Sequence, residues 1–364
     1  MAGVFGSSIK RREDPSLITG SGKYTDDLVV PDMVYAAIVR STHAHARIRS
    51  IDTSEAQAMK GVLAVFTGED ITKSGIPGVV PVGWLLPDMK IPAHPVLASE
   101  IVRYVGDAVA VVVAEDRYTV RDAADLVKVD YETFPVVTDP AQTIEESSPQ
   151  LHPEAPNNIA FDWEIGDKGS TEDAFSKATK TVEISIRNNR LIPHAIEPRS
   201  TLASYDDTTD KLTVWMTTQN PHVHRLLMSL ASLGLPEHKI RVIAPEVGGG
   251  FGSKIHHYPD EVITCWCSMQ LHRPVKWTAT RSEASLTDAH GRDHVTKAEL
   301  ALDDAGRILG LRAKTFANMG AYLSTFGPLV PTYLHATLLS GQYDIPAIYC
   351  QVIGTFTNTT PVDA

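Results

Sequence analysis

Val247-Gly248-Gly249-Gly250-Phe251-Gly252-Ser253-Lys254 places four glycines in five positions, and this stretch constrains the fold more than any other. Without a Cβ, backbone can take positive φ and approach a large partner closely. The stretch lies between a strand expected over 239–243 and a helix expected over 260–271. A helix N-terminus beyond it would favour an anionic group. Two nucleotide fingerprints can be tested against it. A P-loop needs G-x-x-x-x-G-K-[ST], but Ser253 precedes Lys254 and Ile255 follows it. A dinucleotide turn needs G-x-G-x-x-G, and counting from Gly248 the third glycine falls on Ser253. Both fail; were the loop to hold a nucleotide phosphate all the same, replacing Lys254 with alanine would abolish that binding. The glycines alone leave a tight structural turn and a binding loop equally open.

Around the loop the chain alternates strand-like and helix-like stretches. Strands are expected over 34–40, 46–51, 62–67 and, strongly apolar, 108–114. Val120, Ala123, Ala124 and Val127 follow helical spacing, with Asp116 as a candidate N-cap. A strand over 127–131 follows. Residues 134–158 hold several prolines and acidic residues with little periodicity, which marks a linker and puts a domain boundary near residue 150. The second segment opens with a strand over 159–165 and a short helix with Ser170 as a candidate cap. Strands over 181–187 and 211–217 come next. A helix over 222–233 would turn Val223, Leu226, Leu227 and Leu230 inward, and the helix over 260–271 would bury Val262, Cys265, Trp266 and Met269. Strands dominate from residue 275 onward. The class is α+β with mixed sheets.

Two further clusters carry chemistry-bearing side chains. In Thr217-Thr218-Gln219-Asn220-Pro221-His222 a strand gives way to a helix with proline in its first turn, so Gln219 could offer its amide to a ligand oxygen. In His194-Ala195-Ile196-Glu197-Pro198-Arg199 the common arrangement is a structural ion pair of Glu197 with Arg199 or another partner. Histidines pair at His43 and His45, His222 and His224, His256 and His257. No carboxylate or cysteine pattern at ligand spacing completes a metal site, and no side-chain metal site is expected. Cys265 lies on the apolar helix face and Cys267 off it; with Cys350 they are too few for a disulfide framework or an iron–sulfur cluster.

A net charge of -11 disfavours nucleic acid and anionic membrane surfaces. Lys10-Arg11-Arg12 is followed by Glu13 and Asp14, unlike a secretory leader, and no apolar run reaches bilayer-spanning length. A reducing cytoplasm fits. The 43% hydrophobic content over 364 residues suits two or more packed domains.

Taken in order, the motifs resemble one family. Arg12-Glu13-Asp14-Pro15, Leu17-Ile18-Thr19-Gly20, Gly22-Lys23-Tyr24-Thr25-Asp26-Asp27, Arg40-Ser41-Thr42-His43-Ala44-His45-Ala46 and Val105-Gly106-Asp107-Ala108-Val109-Ala110 are similar to the α/β hammerhead domain of molybdenum hydroxylases. That family comprises xanthine dehydrogenase, aldehyde oxidase and aerobic carbon monoxide dehydrogenase. Residues 194–199, Thr218-Gln219-Asn220, the 248–254 loop and Gly320-Ala321-Tyr322 resemble its first molybdopterin-binding domain. The resemblance implies a hammerhead domain with linker over 1–150 and a C-terminally incomplete, mixed-sheet molybdopterin-binding domain over 151–364.

The implied activity is oxidation of an aldehyde, an N-heterocycle or carbon monoxide, with water as oxygen source. The implied cofactor is molybdenum–molybdopterin, in bacterial relatives usually the cytosine dinucleotide form. Gln219 would bond near the molybdenum oxo or pterin group, and Gly250, Phe251 and Gly252 would pack on the molybdenum face. Iron–sulfur and FAD centres would sit on partner subunits. Purine-oxidising members carry a glutamate after the loop lysine, where this chain has Ile255, so purines are disfavoured.

The last residues, Thr359-Thr360-Pro361-Val362-Asp363-Ala364, read as an interruption. A second molybdopterin-binding domain and the glutamate acting as catalytic base are expected beyond them, so no catalytic residue is assigned: either the sequence is a fragment, or a further chain supplies the missing half. Isolated, the chain should be inactive. The alternative is a non-catalytic module that binds cofactor or partners.

Overall fold

The computed structural model describes residues 5–364. Its organising strand is Ala108–Ala114, in which all seven residues are buried. A strand covered on both faces has no need of polar alternation, which is why this run reads as continuously apolar. Val34–Arg40 and Val62–Thr67 flank it, both antiparallel.

Val34–Arg40 also pairs in parallel with Val275–Thr278, so the two sequence segments share one sheet. The full order is Ile240–Ile243, Lys211–Met216, Ser200–Asp206, Val275–Thr278, Val34–Arg40, Ala108–Ala114, Val62–Thr67. Four of these strands lie beyond residue 150. Ser200–Asp206 was not expected from the sequence, because small and polar residues hide its burial. Ser200, Thr201, Leu202 and Ala203 are all buried, and Ser200 Oγ donates to the Trp277 carbonyl at 3.0 Å, which satisfies the hydroxyl inside the sheet.

Pro259–Leu271 packs against this sheet, and its residues 259–268 are all buried. Trp266 meets Phe66 edge-on at 4.8 Å, and its indole N–H donates to Ser74 Oγ at 3.1 Å. The N-terminal strand Val62–Thr67 and Ser74 beyond it thus both pack on this helix. Cys267, expected off the apolar face, is therefore as fully buried as Cys265. The helix expected over 222–233 divides into Pro221–Leu227 and a π-helical turn, Met228–Ser232. The wider turn buries Met228 and leaves Leu226 and Leu230, expected inward, exposed.

A second sheet runs Lys180–Asn188, His294–Leu302, Ile308–Gly320, Ile348–Phe356, Ile159–Gly166. Its core includes Phe161, Trp163, Ala313, Val352 and Phe356. The short helix Lys168–Lys177 is capped by Asp167, which accepts from the Ser170 N–H, in place of the expected Ser170 cap. Asp116 does accept from the Tyr118 and Thr119 N–H groups at the start of Thr119–Asp125. Residues 134–158 pack closely. Val137 N–H donates to Asn358 Oδ1 at 3.1 Å, and Thr143 Oγ1 to the Phe356 carbonyl at 2.8 Å.

Tyr322 is fully buried and stacks on His94 with ring centroids 4.1 Å apart. Burial holds His94 down to about 3, and burial followed by Arg103 holds His152 to about 4. Both folded values lie below the unfolded histidine value, so the stability they contribute is present above about pH 6.5 and lost as pH falls toward them. Lowering pH from 7.5 to 5 should therefore depress the unfolding temperature. His94→Phe, which keeps a ring on Tyr322, should recover about 2 kcal/mol of the loss at pH 5. Parallel pH profiles for the two proteins, read by circular dichroism, would contradict the assignment.

Candidate cofactor-binding site

The three motifs singled out in the second segment converge. Gln219 Oε1 accepts from the N–H groups of Gly252 and Lys254, each at 3.2 Å, and Gln219 N–H donates to the Lys254 carbonyl at 3.0 Å. Asn220 Nδ2 donates to the Ile255 carbonyl at 3.2 Å. The strand end after Lys211–Met216 is thereby stitched to the glycine loop. Glu197 Oε2 accepts from Gly248 N–H at 2.7 Å and from Lys254 Nζ at 2.9 Å.

Close approach explains the glycines. A Cβ at Gly250 would overlap the Gln219 side chain, and one at Gly252 would overlap the Ala364 carbonyl. Gly249 and Gly252 also take φ of 92° and 93°, which disfavour a side chain. Phe251, at φ 52°, is 72% exposed. Its ring borders a cavity of about 890 Å³ walled by apolar side chains such as Ile186, Leu191, Val330 and Leu334, with Ala364 at one edge.

The loop's donors are left free. The N–H groups of Gly249, Gly250 and Phe251 make no hydrogen bond within the described chain, nor does Gln219 Nε2. Gln219 is exposed, and its oxygen is held by the loop, so its amide nitrogen faces outward. Three successive unpaired main-chain donors beside a fixed amide donor suit a large, oxygen-rich ligand.

Lys254 is no phosphate hook. Its side chain is fully buried on Glu197, and burial lowers its pKa against the pull of that carboxylate. Arg199, for which a pair with Glu197 was one option, bonds instead to Asp288 at 2.6 Å, Asp260 at 2.7 Å and Thr287 at 2.9 Å. Arg40 grips the other oxygen of Asp260 at 2.7 Å. Burial works against charge on Asp260, and the two guanidiniums outweigh it, holding the carboxyl below its usual range. This network was hidden in the sequence, since Asp260 reads as an ordinary acidic residue at a helix start. His43 and His45 do not form a pair: His43 packs edge-on to Tyr131, and His45 Nδ1 bonds to the Pro135 carbonyl.

With this geometry in place, likeness to known proteins decides the family. Residues 151–364 match the molybdopterin cofactor-binding domain, and residues 19–135 the aldehyde oxidase and xanthine dehydrogenase a/b hammerhead domain. The chain belongs to the molybdenum hydroxylase family. It is 39% identical to the carbon monoxide dehydrogenase large chain of Afipia carboxidovorans, over 97% of this chain and 44% of that one. It is 32% identical to the nicotinate dehydrogenase large molybdopterin subunit of Eubacterium barkeri, over 98% of this chain and 79% of that one. Quinoline 2-oxidoreductase from Pseudomonas putida 86 superposes with a TM-score of 0.92 at 34% identity, over 99% of this chain and 45% of that one. The chain thus spans less than half of two of these relatives and about four-fifths of the third. Among its described residues no helix is long and apolar enough to cross a membrane.

The Lys254–Glu197 pair makes replacement of Lys254 a test of stability. Lys254→Met should cost about 3–5 kcal/mol by stranding a buried carboxylate. Adding Glu197→Gln should return part of that loss. Urea unfolding of both single variants and the double variant tests this, and additive effects would refute the pairing.

Proposed function

We propose that this chain forms one wall of the molybdopterin site of a hydroxylase that oxidises an aldehyde, an N-heterocycle or carbon monoxide. The observation that carries the reading is the row of free N–H groups at Gly249, Gly250 and Phe251 beside the exposed Gln219 amide. Bound molybdopterin supplies the two-electron oxidation, with water as the source of oxygen.

The chain's own residues bind and orient. Gln219 Nε2 would donate to a cofactor oxygen, and the backbone at Gly250 and Gly252 would pack against the cofactor. Phe251 borders the approach from the apolar cavity and keeps water from it. Ile255, where purine oxidisers carry glutamate, supports substrates other than purines. Residues 1–150 are assigned to the hammerhead domain with its linker and 151–364 to the molybdopterin-binding domain.

The cytosine dinucleotide form of the cofactor is the one this reading expects. Electrons would leave through iron–sulfur and FAD subunits of the same complex, in the cytoplasm. The proton-accepting glutamate and the second cofactor domain would come from polypeptide outside this sequence. An unpaired apolar strip supports such a neighbour: Val182, Ile184 and Ile186 are 44%, 54% and 47% exposed on one face of the edge strand Lys180–Asn188, and Ile186 continues into the cavity wall.

The test is elemental analysis of the chain purified from its native host with whatever accompanies it. Near-stoichiometric molybdenum together with iron is expected, and Gln219→Ala should weaken molybdenum retention by about 10–100-fold. A complex that turns over these substrates without molybdenum would refute the reading.

A further inference from the structure

A second cluster lies behind the glycine loop. His224, on Pro221–Leu227, meets His257 and Glu261, which flank the start of Pro259–Leu271; their candidate ligand atoms all lie within 4.8 Å of one another. Glu261 Oε2 is 3.3 Å from His257 Nδ1 and 3.7 Å from His224 Nε2. The His256 carbonyl oxygen lies 3.3 Å from His224 Nε2 and adds a fourth donor.

Three features separate this cluster from an ordinary packed polar trio. All three side chains are buried, at 0%, 0% and 2% exposure for His224, His257 and Glu261. His257 Nδ1 is buried with no hydrogen-bond partner, an expensive state for a ring nitrogen unless something occupies the centre. The remote nitrogens are already held by hydroxyls. His224 Nδ1 lies 3.1 Å from Thr218 Oγ1, and His257 Nε2 lies 3.0 Å from Ser232 Oγ. Outer partners of this kind fix the rings of metal-ligating histidines. Zinc bonds of about 2.0–2.2 Å place tetrahedral ligands about 3.4 Å apart, close to three of the separations here.

We propose that His224 Nε2, His257 Nδ1, Glu261 and the His256 carbonyl bind one zinc ion in a closed structural site, distinct from the molybdopterin surface. Two imidazoles and two oxygens form a borderline donor set suited to zinc or cobalt, and burial implies loading during folding. The ion would clamp the segment carrying Gln219 to the segment following the loop, holding both walls of the cofactor site in register. The sequence concealed the site because its ligands come from two histidine pairs far apart along the chain.

The full-length chain, made without a histidine tag in a host lacking the molybdenum cofactor, should contain about one zinc per chain. Growth on cobalt should give the ligand-field absorption of a tetrahedral site, and His257→Phe should lose both. If that variant fails to fold, the cobalt spectrum of the unaltered protein decides. Folded, unaltered protein that holds no zinc and shows no cobalt bands after cobalt growth would overturn the proposal, leaving the molybdopterin reading untouched.

Discussion

The carboxylate of Asp260 is the point on which the rest of the structure depends. It opens the buried helix Pro259–Leu271 and is held by Arg40 from the N-terminal sheet strand and Arg199 from the Glu197-Pro198-Arg199 turn. Arg199 reaches on to Asp288 and lies 3.5 Å over the Tyr258 ring. An ion set this deep is tolerable only when every charge is matched and hydrogen-bonded, which makes its geometry unforgiving. Because the glycine loop runs directly into this helix, fixing Asp260 fixes where the loop ends.

From that anchor the site follows by short-range bonding. Glu197, two residues before Arg199, holds Gly248 and Lys254, so the network that sets the helix also sets both ends of the loop. Gln219 then ties the loop to the neighbouring strand end and keeps its nitrogen outward. The loop's free N–H groups are held open by these bonds, which is the pre-organisation a large cofactor requires. Gly320-Ala321-Tyr322 acts farther off. Tyr322 stacks on His94 and accepts from Arg103 Nη1 at 3.1 Å, tying the chain just after Ile308–Gly320 to two N-terminal residues.

Much of this was legible in the sequence where one local property dominated. Ala108–Ala114 declared itself by unbroken burial, and the glycine loop by a density of glycine that only close approach explains. Gln219 was visible as a side chain at a strand-to-helix junction. What stayed hidden depended on contacts between distant residues. Ser200–Asp206 is a central strand whose hydroxyls are satisfied by neighbours, so its composition reads as surface. The pairing of Lys254 with Glu197, 57 residues earlier, was hidden in the same way. Cys267 looked peripheral because one-face periodicity cannot report a helix covered on both sides.

The most direct test of the account is a structure of this chain assembled with its partners and cofactor. The account expects the pterin cofactor against the Gly249–Gly252 backbone, with Gln219 Nε2 within hydrogen-bond distance of a cofactor oxygen and its Oε1 still held by the loop. A cofactor seated elsewhere, or a Gln219 turned away from it, would contradict the claim.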